Sequence, residues 1–131
     1  MKPSQITELP EMLHSLAEDI PALPDFKGLP SIYKLQMAWD DERNTLHVSA
    51  QHDGASHDDD LAIIENLSTW AAAIGGVLLL GEEARTSASH GYYWRRLSAL
   101  AVLPNGLLFE VWDHLVYPVP ADASAPELAS A

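Results

Sequence analysis

The segment "LSALAVLPNGLLFEV" near the C-terminus constrains the fold more than any other part of the chain. Apolar residues alternate with other residues on both sides of "LPNGL", and a period of two is typical of β-strands. Pro104 and Asn105 suit the centre of a type I turn, and Gly106 suits the glycine bulge that closes it. This turn pairs Leu103 with Leu107 and therefore predicts an antiparallel hairpin.

The predicted register sorts the side chains of this hairpin into two faces. One face is apolar and belongs to the core: Leu97, Ala99, Ala101, Leu103, Leu107, Phe109 and Val111. The opposite face collects Trp94, Arg96, Ser98, Leu100, Glu110, Trp112 and His114. A slip of one residue would mix the two sets, because successive side chains of a strand point to opposite faces.

Two helices and three further strands are predicted elsewhere. The first helix begins near Thr7, whose hydroxyl can cap it, and ends at Pro21. The second helix lies in "DDDLAIIENLSTWAAAIGG", and Gly75 supplies its left-handed stop. Its apolar face is predicted to contain Leu61, Ile64, Leu67, Ala71 and Ile74, widened by Ile63 and Trp70. "YKLQMAW" and "TLHVSAQ" alternate around the polar turn "DDERN" as a hairpin, and "VLLLG" is predicted to be a short buried strand.

The order helix–strand–strand–helix–strand–strand–strand predicts the α+β class, with a mostly antiparallel sheet of about five strands and both helices on one face. If the strands from both hairpins share this sheet, His47, Ser49 and Gln51 join the face of Trp94 and Trp112. We expect residues 1–117 to form a single domain. Residues 118–131, "PVPADASAPELASA", are expected to be a disordered tail.

The net charge narrows the classes of partner. Nineteen acidic residues against seven Lys and Arg give a formal charge of −12, which repels nucleic acid and anionic membranes but attracts basic proteins. The chain has no cysteine, which excludes disulfides and thiolate metal sites. The N-terminus lacks the apolar core of a signal peptide, and "AAAIGGVLLLG" is too short for a membrane span. We therefore expect a cytoplasmic protein without a nucleic-acid or membrane partner.

The stretch "QHDGASHDDD", residues 51–60, has two interpretations. His52, Asp53 and His57 could bind a metal ion in a flexible loop. Alternatively, the stretch is a loop that leads into the second helix, where carboxylates favour the positive end of the helix dipole: Asp58, Asp59 and Asp60. His47, His52 and His57 are spaced by five residues, which would not place metal ligands on one face of a strand or of a helix. We therefore prefer the second interpretation, a loop that leads into the second helix.

Catalytic and cofactor motifs are absent from the sequence. It contains neither a Gly-x-Ser-x-Gly elbow nor a glycine-rich phosphate loop, so we expect no cofactor and no enzymatic activity. Glu110 with His114, or Asp113 with His47, are acid–base pairs that nothing in the sequence places in a cleft.

The combination of charge and aromatic residues predicts a non-enzymatic interaction module of the inhibitor, immunity, adaptor or DNA-mimic type. Its protein partner would be basic or contain a basic groove. The predicted contact residues are Trp94, Arg96, Glu110, Trp112 and His114, with Asp58, Asp59 and Asp60 as an acidic edge. A homodimer through the aromatic face is a variant of this hypothesis. The alternative is a metal-binding protein or metal-dependent enzyme that uses His52, His57 and the neighbouring aspartates.

Overall fold

The computed structural model describes residues 1–53, 60–85 and 92–118. Within them lie two α-helices, α1 (Leu9–Asp19) and α2 (Asp60–Ile74), and five strands, β1 (Ile32–Asp40), β2 (Thr45–His52), β3 (Val77–Arg85), β4 (Tyr92–Val102) and β5 (Leu108–Pro118). The strands form one sheet and the fold is α+β, as the order of the elements predicted. Of the proposed tail, residues 118–131, Pro118 is the last residue of β5, and the others lie outside the described residues.

The sheet is mixed, with the strand order β1-β2-β5-β4-β3. The two hairpins, β1–β2 and β4–β5, are antiparallel, and β3 pairs with β4 in the same way. The hairpins join through a parallel pairing of β2 with β5, in which Val48 lies opposite Phe109. This arrangement places β1 and β3 at the two edges.

The prediction that "VLLLG" is a buried strand is wrong. Val77, Leu78, Leu79 and Leu80 are between 37% and 56% exposed. The reason is position in the sheet: β3 is an edge strand, and β4 is its neighbour on one side only.

The predicted register of the C-terminal hairpin is confirmed. The Leu103 amide donates to the Leu107 carbonyl at 2.8 Å, and Val102 lies opposite Leu108. The seven apolar residues assigned to one face are all buried. The turn itself differs from the prediction, because Asn105 has φ 70° and ψ 9°, a left-handed conformation that a type I turn does not have at this position.

Both helices pack on this apolar face of the sheet. The core joins Met12 and Ile20 of the α1 region and Leu67 and Trp70 of α2 to Phe109 on β5. No helix within the described residues is long and apolar enough to cross a membrane.

The ends of the helices agree only in part with the sequence predictions. A short 3-10 helix, Pro3–Glu8, precedes α1, and the Thr7 hydroxyl donates to the Ser4 carbonyl at 2.8 Å. Thr7 therefore lies inside that 3-10 helix and does not cap α1. At the end of α2, Gly75 has φ 66°, and the Gly76 amide donates to the Ala71 carbonyl at 2.9 Å. This is the predicted left-handed stop, in the hydrogen-bond pattern of a Schellman motif.

The predicted apolar face of α2 is rotated in the structure. Its buried residues are Ile63, Leu67, Trp70 and Ala71. Leu61 is 63% exposed and Ile64 is 37% exposed, so their assignment to the core face is wrong. Because apolar residues surround most of this helix, the sequence pattern alone does not fix the side that faces the sheet.

Replacing a residue on each side of α2 tests this orientation. Leu67→Ala should lower the free energy of unfolding by about 2–5 kcal/mol, because it leaves a cavity at a fully buried position. The matched change Leu61→Ala should alter it by less than about 0.5 kcal/mol. Urea denaturation followed by circular dichroism measures both, and equal losses would contradict the observed orientation.

Candidate functional site

Five residues predicted to share one surface do lie on the same face of the sheet, which we call the outer face because it is opposite α1 and α2. In the β4–β5 register, Arg96 lies opposite His114, and Ser98 lies opposite Trp112. The parallel pairing with β2 places Ser49 opposite Glu110. The outer face therefore combines Trp94, Arg96, Glu110, Trp112 and His114 with His47, Ser49 and Gln51.

A buried carboxylate lies at the centre of the outer face. Glu110 is only 6% exposed and accepts hydrogen bonds from Arg96 through Nε at 3.1 Å and Nη2 at 2.8 Å. His47 Nε2 donates to the same carboxylate at 2.9 Å, and the Ser98 hydroxyl donates to it from β4. Burying a charge is unfavourable unless it is paired and hydrogen-bonded, and these donors meet that condition.

These neighbours set the ionisation of Glu110. Burial acts to raise the pKa of its carboxyl group, but the hydrogen bonds from Arg96 and Ser98 and the charges of Arg96 and His47 outweigh burial. The pKa is therefore held below its ordinary value of 4.5. Glu110 is ionised at neutral pH and fixes the guanidinium of Arg96 in place.

The aromatic side chains are stacked around Arg96. Its guanidinium carbon lies 4.0 Å from the centroid of the Trp112 ring, a cation–π distance. The His114 ring lies 4.2 Å from the Trp94 centroid and 5.1 Å from the Trp112 centroid. All four side chains are half-buried, so they form a continuous layer that keeps part of its surface accessible.

His114 is held in its neutral form by this layer. Burial lowers the pKa of its imidazole and the charge of Arg96 lowers it further, whereas Asp113 acts in the opposite direction. The net result is a pKa below 6.5. At neutral pH the ring therefore packs between the two indoles, tilted to both, without a charge.

The acid–base pairs suggested by the sequence have different partners in the structure. Glu110 bonds to His47 and not to His114. Asp113 points to the helix side of the sheet, where it accepts a hydrogen bond from His52 Nδ1 at 2.9 Å. The sequence could not reveal these pairs, because both depend on the parallel contact between β2 and β5, which are far apart in the chain.

The stretch 51–60 is only partly described. His52 is 3% exposed, and Asn66 of α2 donates to its Nε2 at 3.2 Å, so both ring nitrogens already have partners. Asp53 is exposed. His57, Asp58 and Asp59 lie outside the described residues, so their roles stay predictions. Asp60 begins α2 and accepts a hydrogen bond from the Val116 amide at 3.3 Å.

A metal site finds no support among the described residues. They contain no group of three or more histidine and carboxylate side chains that could hold an ion. Binding an ion through His52 would require breaking one of its two hydrogen bonds.

A shallow cavity of about 380 Å³ adjoins the network around Glu110. It is lined by Gln36, Met37, Ala38, His47 and Ser49. His47 connects the two features, because it lines the cavity and also bonds to Glu110. The outer face thus offers planar rings, a fixed guanidinium and a recess large enough for a side chain, which are features of a binding surface.

No protein-family model matches the chain, and no curated protein or solved structure is significantly similar to it. The interpretation of the site therefore depends on the contacts of the outer face. The outer face presents side chains of two kinds, the aromatic rings of Trp94 and Trp112 and the guanidinium of Arg96.

Removing the charge of Glu110 tests the buried network. Glu110→Gln should lower the free energy of unfolding by about 1–3 kcal/mol, because Arg96 loses its charged acceptor. Since the folded pKa of Glu110 is depressed, its contribution is present above pH 4.5 and lost as the pH falls through the folded pKa. The free energy of unfolding of the wild type should therefore fall more steeply than that of the variant in denaturation curves measured from pH 6 to pH 3.

The substitution Glu65→Gln, at an exposed position in the middle of α2, is the matched control for the loss of one carboxylate. It should leave both stability and its acid dependence nearly unchanged. Equal effects of the two variants would mean that the bonds around Glu110 contribute nothing specific.

The lowered pKa of His114 gives a separate prediction for how the free energy of unfolding depends on pH. The unfolded chain binds a proton on this residue near pH 6.5, whereas the folded protein resists it. Stability should therefore decline as the pH falls below 6.5 through the folded pKa. His114→Phe keeps a ring between the indoles and should flatten this part of the profile. Chemical denaturation at successive pH values measures it, and an unchanged slope would contradict the assignment.

Proposed function

We propose that this protein is a non-enzymatic interaction module that binds a basic protein partner through its outer face. The observation that carries the proposal is the fixed position of Arg96, which is hydrogen-bonded to buried Glu110 and stacked on Trp112. Trp and Arg are the residue types that contribute most to binding at protein interfaces.

The network supports binding because it orders the contact residues in advance. A long side chain such as Arg loses conformational freedom when it is fixed in a complex, and this loss weakens binding. Arg96 is already restrained by Glu110, and His114 is already packed against Trp94 and Trp112. A partner that docks on these rings therefore meets a surface that needs little rearrangement.

The distribution of charge supports a basic partner. On the outer face, the charge of Glu110 is matched by that of Arg96. Exposed acids lie elsewhere on the molecule, including Glu11 and Glu18 on α1 and Glu42 in the β1–β2 turn. The net charge of −12 would speed the approach of a positively charged protein, while the rings provide the short-range contacts.

The class of partner follows from the same properties. The proposed module would be of the inhibitor, immunity, adaptor or DNA-mimic type, and would occupy a basic groove of its partner. The absence of cysteine is compatible with action in the reducing cytoplasm. Asp60, and Asp58 and Asp59 beside it in the sequence, would add an acidic edge to the surface.

Affinity capture from the source cells, followed by titration with the identified purified partner, tests the proposal. Arg96→Lys keeps the charge but loses the planar, two-donor contact, and Trp112→Ala removes the ring beneath it. Each variant should weaken binding tenfold or more, equivalent to about 1.4 kcal/mol. Leu61→Ala, at an exposed site on α2, is the control and should bind like the wild type. Binding that survives both outer-face substitutions would refute the proposal.

Nuclear magnetic resonance of the indole N–H groups locates the contact without relying on a substitution. Signals of Trp94 and Trp112 should shift when the partner is added. Trp70 is an internal control, because it is buried on the helix side and its Nε1 donates to the Pro30 carbonyl at 2.8 Å. Shifts confined to residues of α1 would instead place the interface on the opposite side of the sheet.

A further inference from the structure

The outer edge of β3 differs in composition from an ordinary protected strand edge. Its first part, Val77–Leu80, is uncharged and exposed. Side chains on both faces of this part of the strand are apolar. Val77 and Leu79 lie on the outer face, opposite Leu100 and Ser98 of β4. Leu78 and Leu80 lie on the helix side, opposite Ala99 and Leu97. No strand within the described residues pairs with this edge.

The two edges of the sheet differ in where their charged residues and irregularities lie. Strand β1 has an exposed lysine, Lys34, and its pairing with β2 is interrupted by an irregularity between Ile32 and Lys34. Charged residues and bulges are two common means of preventing association between edge strands. In β3, the five residues Val77–Gly81 contain no charge, and the register irregularity comes only after Leu80.

We infer that β3 is a self-association edge, at which two copies of this chain pair antiparallel to form one continuous sheet. A two-fold axis perpendicular to the sheet allows this pairing, because it leaves the outer faces of both copies on the same side of the combined sheet. Centred on Leu79, it places Leu79 opposite Leu79 of the second copy. Leu78 then lies opposite Leu80 and Val77 opposite Gly81, so residues of the same face meet.

The charge pattern along β3 allows a second copy at this edge despite the net charge of −12. In the proposed register, Glu82 of one copy lies opposite Gly76 of the other. The two Glu82 residues are then about six residues, or roughly 20 Å, apart along the strands. Salt screens charges beyond about 8 Å at physiological ionic strength. The pairing therefore joins the uncharged segments while the acids of the two copies remain far apart.

The size of the contact sets its expected strength. Pairing of five residues from each copy buries less surface than the roughly 1,200–2,000 Å² of a stable interface. We therefore expect a concentration-dependent dimer with a dissociation constant on the order of micromolar or weaker.

Sedimentation velocity of the full chain from low to high micromolar concentration tests the dimer. The wild type should shift from monomer to dimer, and Leu79→Lys should remain a monomer at every concentration. Met37→Lys is the matched control, because Met37 is a similarly exposed apolar residue on the opposite edge strand. It should dimerise like the wild type. A wild type that stays monomeric, or a dimer lost with Met37→Lys or Trp112→Ala but kept with Leu79→Lys, would overturn the inference.

Disulfide cross-linking of introduced cysteines tests the register of the proposed dimer. The chain has no cysteine of its own that would interfere. Directly opposed residues of antiparallel strands have Cα atoms about 4.5–5.5 Å apart, within the range that a disulfide spans. Leu79→Cys should therefore form a disulfide-linked dimer under mild oxidation, whereas Met37→Cys should not. Cross-linking of Met37→Cys with none at Leu79→Cys would place the contact at β1. These experiments use no other partner, so their outcome is independent of the proposed function.

Discussion

The pairing of β4 with β5 is the constraint on which the rest of the structure depends. It assigns Phe109 and Val111 to the core and Glu110 and Trp112 to the outer face. A shift of one residue would exchange these sets and place a carboxylate beneath α2 without its donors, which is strongly unfavourable. The register therefore separates the apolar packing face from the outer face within one hairpin.

The parallel contact between β2 and β5 is reinforced on both faces of the sheet. On the outer face His47 bonds to Glu110, and on the helix side His52 bonds to Asp113. Each pair joins residues more than sixty positions apart in sequence, and such non-local contacts carry a larger entropic cost of loop closure than local hairpins. Asn66 extends the second pair to α2, so side-chain bonds specify a strand alignment that no tight turn can set.

The sequence predicted those features whose contacting residues are close together in the chain, and it failed for features that depend on distant residues. The β4–β5 register follows from neighbouring residues around Gly106 and was predicted in full, and with it the set of side chains on the outer face. The histidine partners of Glu110 and Asp113 lie on β2, and they differ from the pairs that the sequence suggested. "VLLLG" looks buried because continuous apolar runs are typical of interior strands, yet strand order puts it at an edge. The face of α2 was misjudged at Leu61 because its composition leaves the orientation to tertiary packing.

The two proposed surfaces reinforce each other geometrically. A two-fold axis perpendicular to the sheet leaves the outer faces of both copies on the same side of the combined sheet. Pairing through Leu79 would therefore present two clusters of Trp94, Arg96 and Trp112 in one direction without covering either. A partner with two copies of its binding site could then bind both clusters, and the second contact would be intramolecular. Even a weak dimer would be stabilised by such a partner, because binding to the paired form shifts the equilibrium toward it.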